Sequence, residues 1–485
     1  MFLKSKTLTK IIEFLPYIFV FISSLYPPSD PDLGWHLRYG EYFFKHHKLL
    51  YDNTFSTMMQ NYHWANGSWG FDLLIYFLYR HGGFLSITLF GGIITTFTYA
   101  LFAKVGKFTV WEKFWLFPIF IFLFYPLQNS SFKGEDLSLF FLGILILILA
   151  KLESNKKLLY FIPLFFLAWF NFHEESFIGL AVFYLWVVFQ TIKKFLYRQP
   201  KSDIIPAFIS LIVSTVISTV NPYGTRVAEF ALSHIYNPVL LGVSQYVPFS
   251  IGSELWWEEV VLTVCLLFFA IYLIVTRKAK NCLEYIGIVA VFLVVPFFVK
   301  RYIWLLYALA IPFTGLSLRQ IRLNVNFKVY QGLTTLIFVA CLMYSIFRLV
   351  LNPQLMNYTW KSYCSHQLVK CSDKAASVIA NKYTNLKLYS YYDWGGWLIW
   401  SYPQIKPNID GRMHEWTDTN GYSAFEEYTK YELGTNSIDK STYNVALIPL
   451  DNSPLYYELD KLVREGSWKL VYEDDNAAVV VRNLK

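Results

Sequence analysis

Eleven apolar runs of near-spanning length dominate this 485-residue chain, at about residues 9–27, 83–103, 114–127, 136–150, 158–172, 176–192, 203–221, 260–276, 283–299, 302–318 and 329–350. Runs of this kind, near the roughly 17–25 residues that cross a bilayer as a helix, predict membrane spans. Composition agrees: 55% of residues are hydrophobic and 16% charged, against roughly 45–50% apolar and about 25% charged in a soluble domain. The first run follows Lys4, Lys6 and Lys10 and lacks a small-residue cleavage site, so it reads as a retained helix.

Orientation follows from the loops. Three or four Lys/Arg lie in each of the segments 1–10, 104–113, 151–157, 193–201, 277–280 and 319–328, which are alternate connections. The positive-inside rule then puts the N-terminus in the cytoplasm and, with an odd number of spans, the chain after residue 350 outside. The net charge of +8 is spread over these loops, which reads as a topology signal and not as a nucleic-acid footprint. The same counting places the polar clusters at 28–82, 128–135, 171–176, 222–259 and Lys300-Arg301 on the outer side. The expected domains are a transmembrane part, 1–350, with a long first outer loop at 28–82, and an extracytoplasmic α/β domain, 351–485. In the latter, helical patterns near 373–384, 421–432 and 454–466 alternate with β-like runs at 386–391, 443–449, 467–472 and 477–482. Trp64, Trp69 and the stretch 71–79 of the first loop look interfacial. Five cysteines form no CxxC pair; Cys364 and Cys371 share the polar tail, where an oxidising compartment would favour a disulfide.

Several clusters have the makings of a site. Ser29 to Gly40 holds Asp30, Asp32, His36 and Arg38, with Asp32 and His36 at i, i+4 on one helix face. A DxD pair either chelates a divalent cation, offers a general base, or is a pair of solvated loop carboxylates. Glu135 and Asp136 start the fourth apolar run, where acids also simply complement a helix dipole. His173, Glu174 and Glu175 fill a gap of almost no length between two spans, and a tight hairpin explains the place but not the charge. Lys300 and Arg301 break the positive-inside pattern, as a phosphate holder or as a pair snorkelling to headgroups. In the tail, Tyr389 to Trp400, with Asp393 and Trp394, and Asn408-Ile-Asp-Gly-Arg412, with Asp410 and Arg412, combine rings and hydrogen-bonding groups that suit a carbohydrate or an ordinary core.

The run DPDLGWHLRYGEYFFKHHKLLYDNTFS, the NFHEESFIGL hairpin, the NPYGTR turn, and YYDWGGWLIW with NIDGR resemble a widespread family of bacterial integral-membrane proteins assigned to the GT-C glycosyltransferase superfamily. The resemblance extends from Asp30 to the end of the chain. More distantly the chain is similar to the catalytic subunit of oligosaccharyltransferases, in which a first-loop aspartate precedes an arginine by six residues, as Asp32 precedes Arg38. The tail run Tyr391 to Gly396 is similar to that family's tryptophan/aspartate/tyrosine/glycine motif without reproducing it, so recognition of an acceptor sequon is not carried over. The resemblance implies a glycosyltransferase in the bacterial cytoplasmic membrane that takes sugar from a polyprenyl-phosphate-linked donor to a glycan or protein acceptor on the outer face.

On that reading Asp32 is the general base or acceptor-orienting group. Asp30, His36, Glu135 and Asp136 assist it, with Asp30, Asp32 and Glu135 as ligands for a divalent cation such as Mg or Mn. Arg301, with Arg38 or Arg412 as alternatives, stabilises the departing phosphate. Lys300, His173, Glu174, Asp393, Trp394 and Asp410 line the substrate. The rival expectation is a transporter or glycan-binding assembly factor, and fold alone does not decide between them.

Overall fold

The computed structural model describes residues 6–128, 132–233, 247–252, 256–321, 327–352 and 355–483. The expected outer loop 222–259 and basic loops 1–10 and 319–328 lie partly outside these. A helix lies on each of the eleven apolar runs, and further helices occur in the polar segments. In chain order they are α1 Lys6–Ser23, α2 Leu33–His46, α3 Trp69–Val105, α4 Val110–Gln128, α5 Gly134–Lys151, α6 Ile162–Phe170, α7 Ser176–Leu196, α8 Ile204–Ile217 and α9 Arg226–Ser233. Then come α10 Trp256–Val275, α11 Leu283–Val294, α12 Ile303–Leu318 and α13 Phe327–Leu351. Among the described residues five stretches are long and apolar enough to cross a membrane: Trp69–Val105, Ser176–Leu196, Trp256–Val275, Lys300–Leu318 and Phe327–Leu351. By contrast α6, with nine residues, rises only about 14 Å, less than half of a hydrocarbon core.

The chain divides into two compact units, residues 1–26, 88–228 and 245–355 in one and 27–87, 229–244 and 356–485 in the other. In the first, α7 packs on α11, α4 on α13 and α6 on α8, around an aromatic core that includes Phe166, Trp169, Phe183 and Tyr307. The change of unit inside α3 follows a break at Gly82 and Gly83, whose φ of +60° at Gly83 is a conformation glycine adopts without cost.

In the second unit the tail forms α14 Trp360–Cys364, α15 Asp373–Lys382, α16 Gly395–Ser401, α17 Ala424–Glu432 and α18 Pro454–Arg464, with strands β1 Leu388–Ser390, β2 Val445–Pro449, β3 Trp468–Glu473 and β4 Ala477–Arg482. The sheet order is β1-β2-β4-β3, with β1 and β2 parallel and the other pairs antiparallel. Four of these helices were not equally legible: α15, α17 and α18 lie where periodicity expects them, whereas α16 falls on a run of aromatics and glycines without helical spacing. Cys364 and Cys371 are joined by a disulfide.

One expectation is corrected. Trp64 is not left at an interface plane: with Trp35, Tyr39, Leu50 and Met58 it shares one core with Tyr389, Ile409, Met413 and Trp416 of the tail, while Phe77 of the stretch 71–79 stays exposed. Apolar area that finds a protein partner has no need of a headgroup layer.

Candidate active site

Glycine brings three of the flagged motifs together in the second unit. A side chain at Gly34 of α2 would have its Cβ 1.9 Å from the Gly396 carbonyl oxygen, and one at Gly396 would lie 2.3 Å from the Pro31 carbonyl oxygen. The two backbones therefore touch, and α2 packs directly on α16. At Gly411 the Cβ would fall 1.7 Å from Asp32 Oδ1. DPDLGW, YYDWGGW and NIDGR thus meet around the Asp32 carboxyl, and no residue larger than glycine fits between.

Asp32 stands at the N-cap position of α2, yet its side chain caps nothing. The neighbouring acid takes the local duty: Asp30 Oδ1 accepts from the Asp32 amide at 3.0 Å. Asp32 stays partly exposed to solvent. Burial pushes its carboxyl up to about 7, and the negative charge of Asp30 adds to this, while His36, the Trp35 indole and His414 pull the other way. The charge of Asp30 also reaches Asp393, which burial raises to about 6. A carboxyl that is accessible and poised near neutrality is suited to accept a proton.

The groups around it are held in turn. His36 Nδ1 is 2.5 Å from Asp72 Oδ1, and Asn66 Nδ2 donates to Asp72 Oδ2 at 2.7 Å. Burial opposes the charged imidazole, but Asp72, Asp32 and Asp30 together keep His36 above its ordinary value. His414 Nδ1 lies 2.7 Å from the Gly411 carbonyl oxygen, and Tyr363 donates its hydroxyl to the Asp30 carbonyl at 2.5 Å.

The two candidate arginines of this unit, Arg38 and Arg412, are spent on the scaffold. Arg38 donates through Nε to the Ile399 carbonyl at 3.1 Å and through Nη2 to the Trp400 carbonyl at 2.8 Å, capping the end of α16, and it also pairs with Glu41. Arg412 grips Asp410 with two bonds of 2.7 Å, and the two side chains are 1% and 0% exposed. Ser56 also donates to Asp410, Asn53 accepts from Arg412 at 3.1 Å, and the guanidinium lies 4.9 Å from the ring centroids of Phe55 and Trp64. Trp394 is buried, with its indole donating to the Val369 carbonyl at 2.7 Å.

In the first unit a second cluster collects the remaining motifs. Arg301 Nη2 lies 3.2 Å from Glu135 Oε1 and 3.6 Å from Glu175 Oε1. The His173 ring sits against Gly134, where a Cβ would be 2.1 Å from its Nε2, and its Nδ1 is 2.9 Å from Ser138 Oγ and 3.7 Å from Glu175 Oε2. Glu175 is buried; burial and the charge of Glu135 raise its carboxyl to about 8, against the pull of Arg301. Asp136 acts as the cap, accepting from the Lys133 amide at 3.0 Å. Lys300 and Glu174 flank the cluster in sequence and are partly exposed.

Asp72, Asn66, His414, Tyr363, Ser56 and Asn53 were not singled out in the sequence. Asp72 had a signal, a lone acid at the head of an apolar stretch, but its partner His36 is 36 residues away. Asp30 and Asp32 are the paired carboxylates of the second unit, and among the described residues no group of three or more His, Cys, Asp or Glu is arranged to hold a metal ion.

No protein-family model and no curated protein matches the chain. Among the solved structures that share its fold are two of low sequence identity. One is ArnT from Cupriavidus metallidurans bound to undecaprenyl phosphate, with a TM-score of 0.51, 12% identity and 98% coverage of both chains. The other is the Archaeoglobus fulgidus oligosaccharyltransferase in the apo form, with a TM-score of 0.53, 10% identity, and coverage of 92% of this chain and 70% of that one. At 10–12% identity the likeness is one of fold, and it agrees with the fold that the resemblance implied.

Proposed function

We propose that this chain is a GT-C-type glycosyltransferase that moves a sugar from a polyprenyl-phosphate-linked donor to an acceptor hydroxyl at the outer face of the bacterial cytoplasmic membrane. One observation carries the reading: the partly exposed carboxyl of Asp32, which caps nothing on its own helix and is held near neutrality where three motifs converge. The fold shared with a structure bound to undecaprenyl phosphate supports the donor class. In the step proposed, the acceptor oxygen attacks the anomeric carbon as its proton passes to Asp32. The bond from that carbon to the donor phosphate oxygen breaks, and the lipid phosphate leaves with the electron pair.

A departing phosphate needs positive charge where its own develops. Within the second unit Arg38 and Arg412 are committed to α16 and Asp410; in the first unit Arg301, with Lys300 beside it in sequence, is the cation we assign to phosphate binding. Glu135 and Glu175 would orient the Arg301 guanidinium. On the alternative in which the pair chelates, Asp30 and Asp32 would hold a divalent cation, and Asp32 would then orient the acceptor and not take its proton. Such an ion would help neutralise the leaving group.

The test is donor turnover by the purified full chain, given radiolabelled sugars on polyprenyl phosphate together with a mixed pool of cell-envelope acceptors. Labelled product and release of polyprenyl phosphate are expected. Movement of intact donor across a proteoliposome membrane without release would favour a transporter instead.

A further inference from the structure

In the second unit α2 and the first part of α3 advance side by side and end in bases. His36 meets Asp72, a side chain at Gly40 would have its Cβ 2.4 Å from Tyr76 Cβ, and the ring centroids of Phe44 and Tyr76 are 5.5 Å apart. One turn further on, α2 and the residues after it supply Lys45, His46, His47 and Lys48, and α3 supplies Arg80 and His81. All six are exposed. Among the described residues none of the six has an acidic partner, because the acids nearby are already held: Glu41 by Arg38, Asp52 by His63 and Asp72 by His36. Elsewhere in the unit the exposed bases Lys430, Lys461 and Arg464 each pair with an acid one turn away. Phe77 adds an apolar face at the same end: it is 48% exposed, and its ring centroid lies 4.3 Å from that of His81.

The covalent chain fixes what this basic end faces. After the break at Gly82 and Gly83, α3 runs on into an apolar stretch able to cross a membrane. At 3.8 Å per residue, Arg80 and His81 lie at most roughly 11–15 Å from Phe84, and the headgroup layer is itself about 5–8 Å thick on each side of the hydrocarbon. Their side chains therefore reach lipid phosphates. Bases on the side expected to be outer also run against the positive-inside pattern, so they are not explained as a topology signal.

We propose that the paired ends of α2 and α3 dock on anionic phospholipid heads, phosphodiesters of net negative charge such as phosphatidylglycerol, with Phe77 set into the interface beside them. Lys45, Lys48 and Arg80 meet the phosphates as charges, and the imidazoles of His46, His47 and His81 add N–H donors. A zwitterionic head carries its own ammonium, which offsets its phosphate, so charge complementarity selects against it. The inference stands apart from the transferase reading and is tested without activity.

The experiment is photocrosslinking of the full chain in phosphatidylcholine nanodiscs doped with phosphatidylglycerol or phosphatidylcholine, each carrying the same diazirine close to the phosphate, with the labelled peptides mapped by mass spectrometry. Each Lys or Arg near an anionic head is worth about fivefold, so phosphatidylglycerol should label residues 42–50 and 76–83 at least about tenfold more than phosphatidylcholine does. Neutralising Lys45→Gln, Lys48→Gln and Arg80→Gln together should erase the preference with Tm unchanged, since all three side chains are exposed and unpaired. Roughly 1 M salt, which shortens the reach of a charge to about 3 Å, should erase it in the wild type. Equal labelling by the two lipids, or a preference that persists in the folded triple variant, overturns the proposal. Were that variant not to fold, a wild-type preference unchanged at high salt would overturn it. Labelling confined to residues 84–103 would overturn the membrane assignment and leave the basic end to a soluble polyanion.

Discussion

Asp30 and Asp32 lie two residues apart and do different work. Asp30 Oδ1 ties down the Asp32 amide, and its charge helps to lift the Asp32 carboxyl to about 7. A base acts only when ionised, so on the proposed mechanism the rate should rise with pH through about 7 and then level off. Asp30→Asn keeps an oxygen for the cap but removes the negative charge; Asp32 then ionises more easily, and the acid limb should move to lower pH in the pH–rate profile. A limb that stays in place would separate Asp30 from the titration. Buried Arg412 and Asp410 make a different prediction at the same scale. Asp410→Asn would strip the charge partner from an arginine 1% exposed, and breaking such a pair costs about 3–5 kcal/mol. Thermal unfolding in detergent should show this as a large drop in Tm. An unchanged Tm would mean that the pair does not hold the tail to the first loop.

Helices and strands were the most legible level. α15, α17 and α18 announce themselves by apolar spacing, and β2 and β4 by short β-branched runs between turn residues. α16 did not, because its reason to exist is the contact it makes. Gly395 and Gly396 leave it bare enough to lie against Pro31 and Asp410, and Arg38, more than 350 residues away in sequence, caps it. Gly396→Ala would place a methyl group 2.3 Å from the Pro31 carbonyl oxygen. Backbone cannot yield as a side chain can, so the second unit should lose about 1–3 kcal/mol or more. Donor turnover should fall along with Tm, because the same crossing positions Asp32. Turnover at the wild-type level with a lowered Tm would uncouple the seam from the site.

For the molecule as a whole, the apolar runs located most of the helices, since a bilayer leaves a chain few other choices. What they could not reveal was that the first loop and the tail share one core, a pairing made by residues such as Trp64 and Trp416 that are far apart in sequence. Nor could spacing show that Arg412 is sealed in that core while Arg301 stays partly exposed. The expected topology is open to direct measurement. In a background without Cys265, Cys282 and Cys341, a cysteine at exposed Thr419 should react with an impermeant maleimide added to intact cells, and one at exposed Lys157 only after lysis. The reverse pattern would invert the chain and put the Asp32 site inside.

The most direct measurement compares wild type with Asp32→Asn and Asp32→Ala for sugar transfer from polyprenyl-phosphate donors, with Tm recorded for each. Losing a positioned base predicts a fall of about 10²–10⁴-fold in turnover, with Tm kept or raised because a carboxyl whose ionised form its surroundings disfavour has been removed. Transfer undiminished in both variants would contradict the assignment of Asp32 and, with it, the reading of this cluster as the active site.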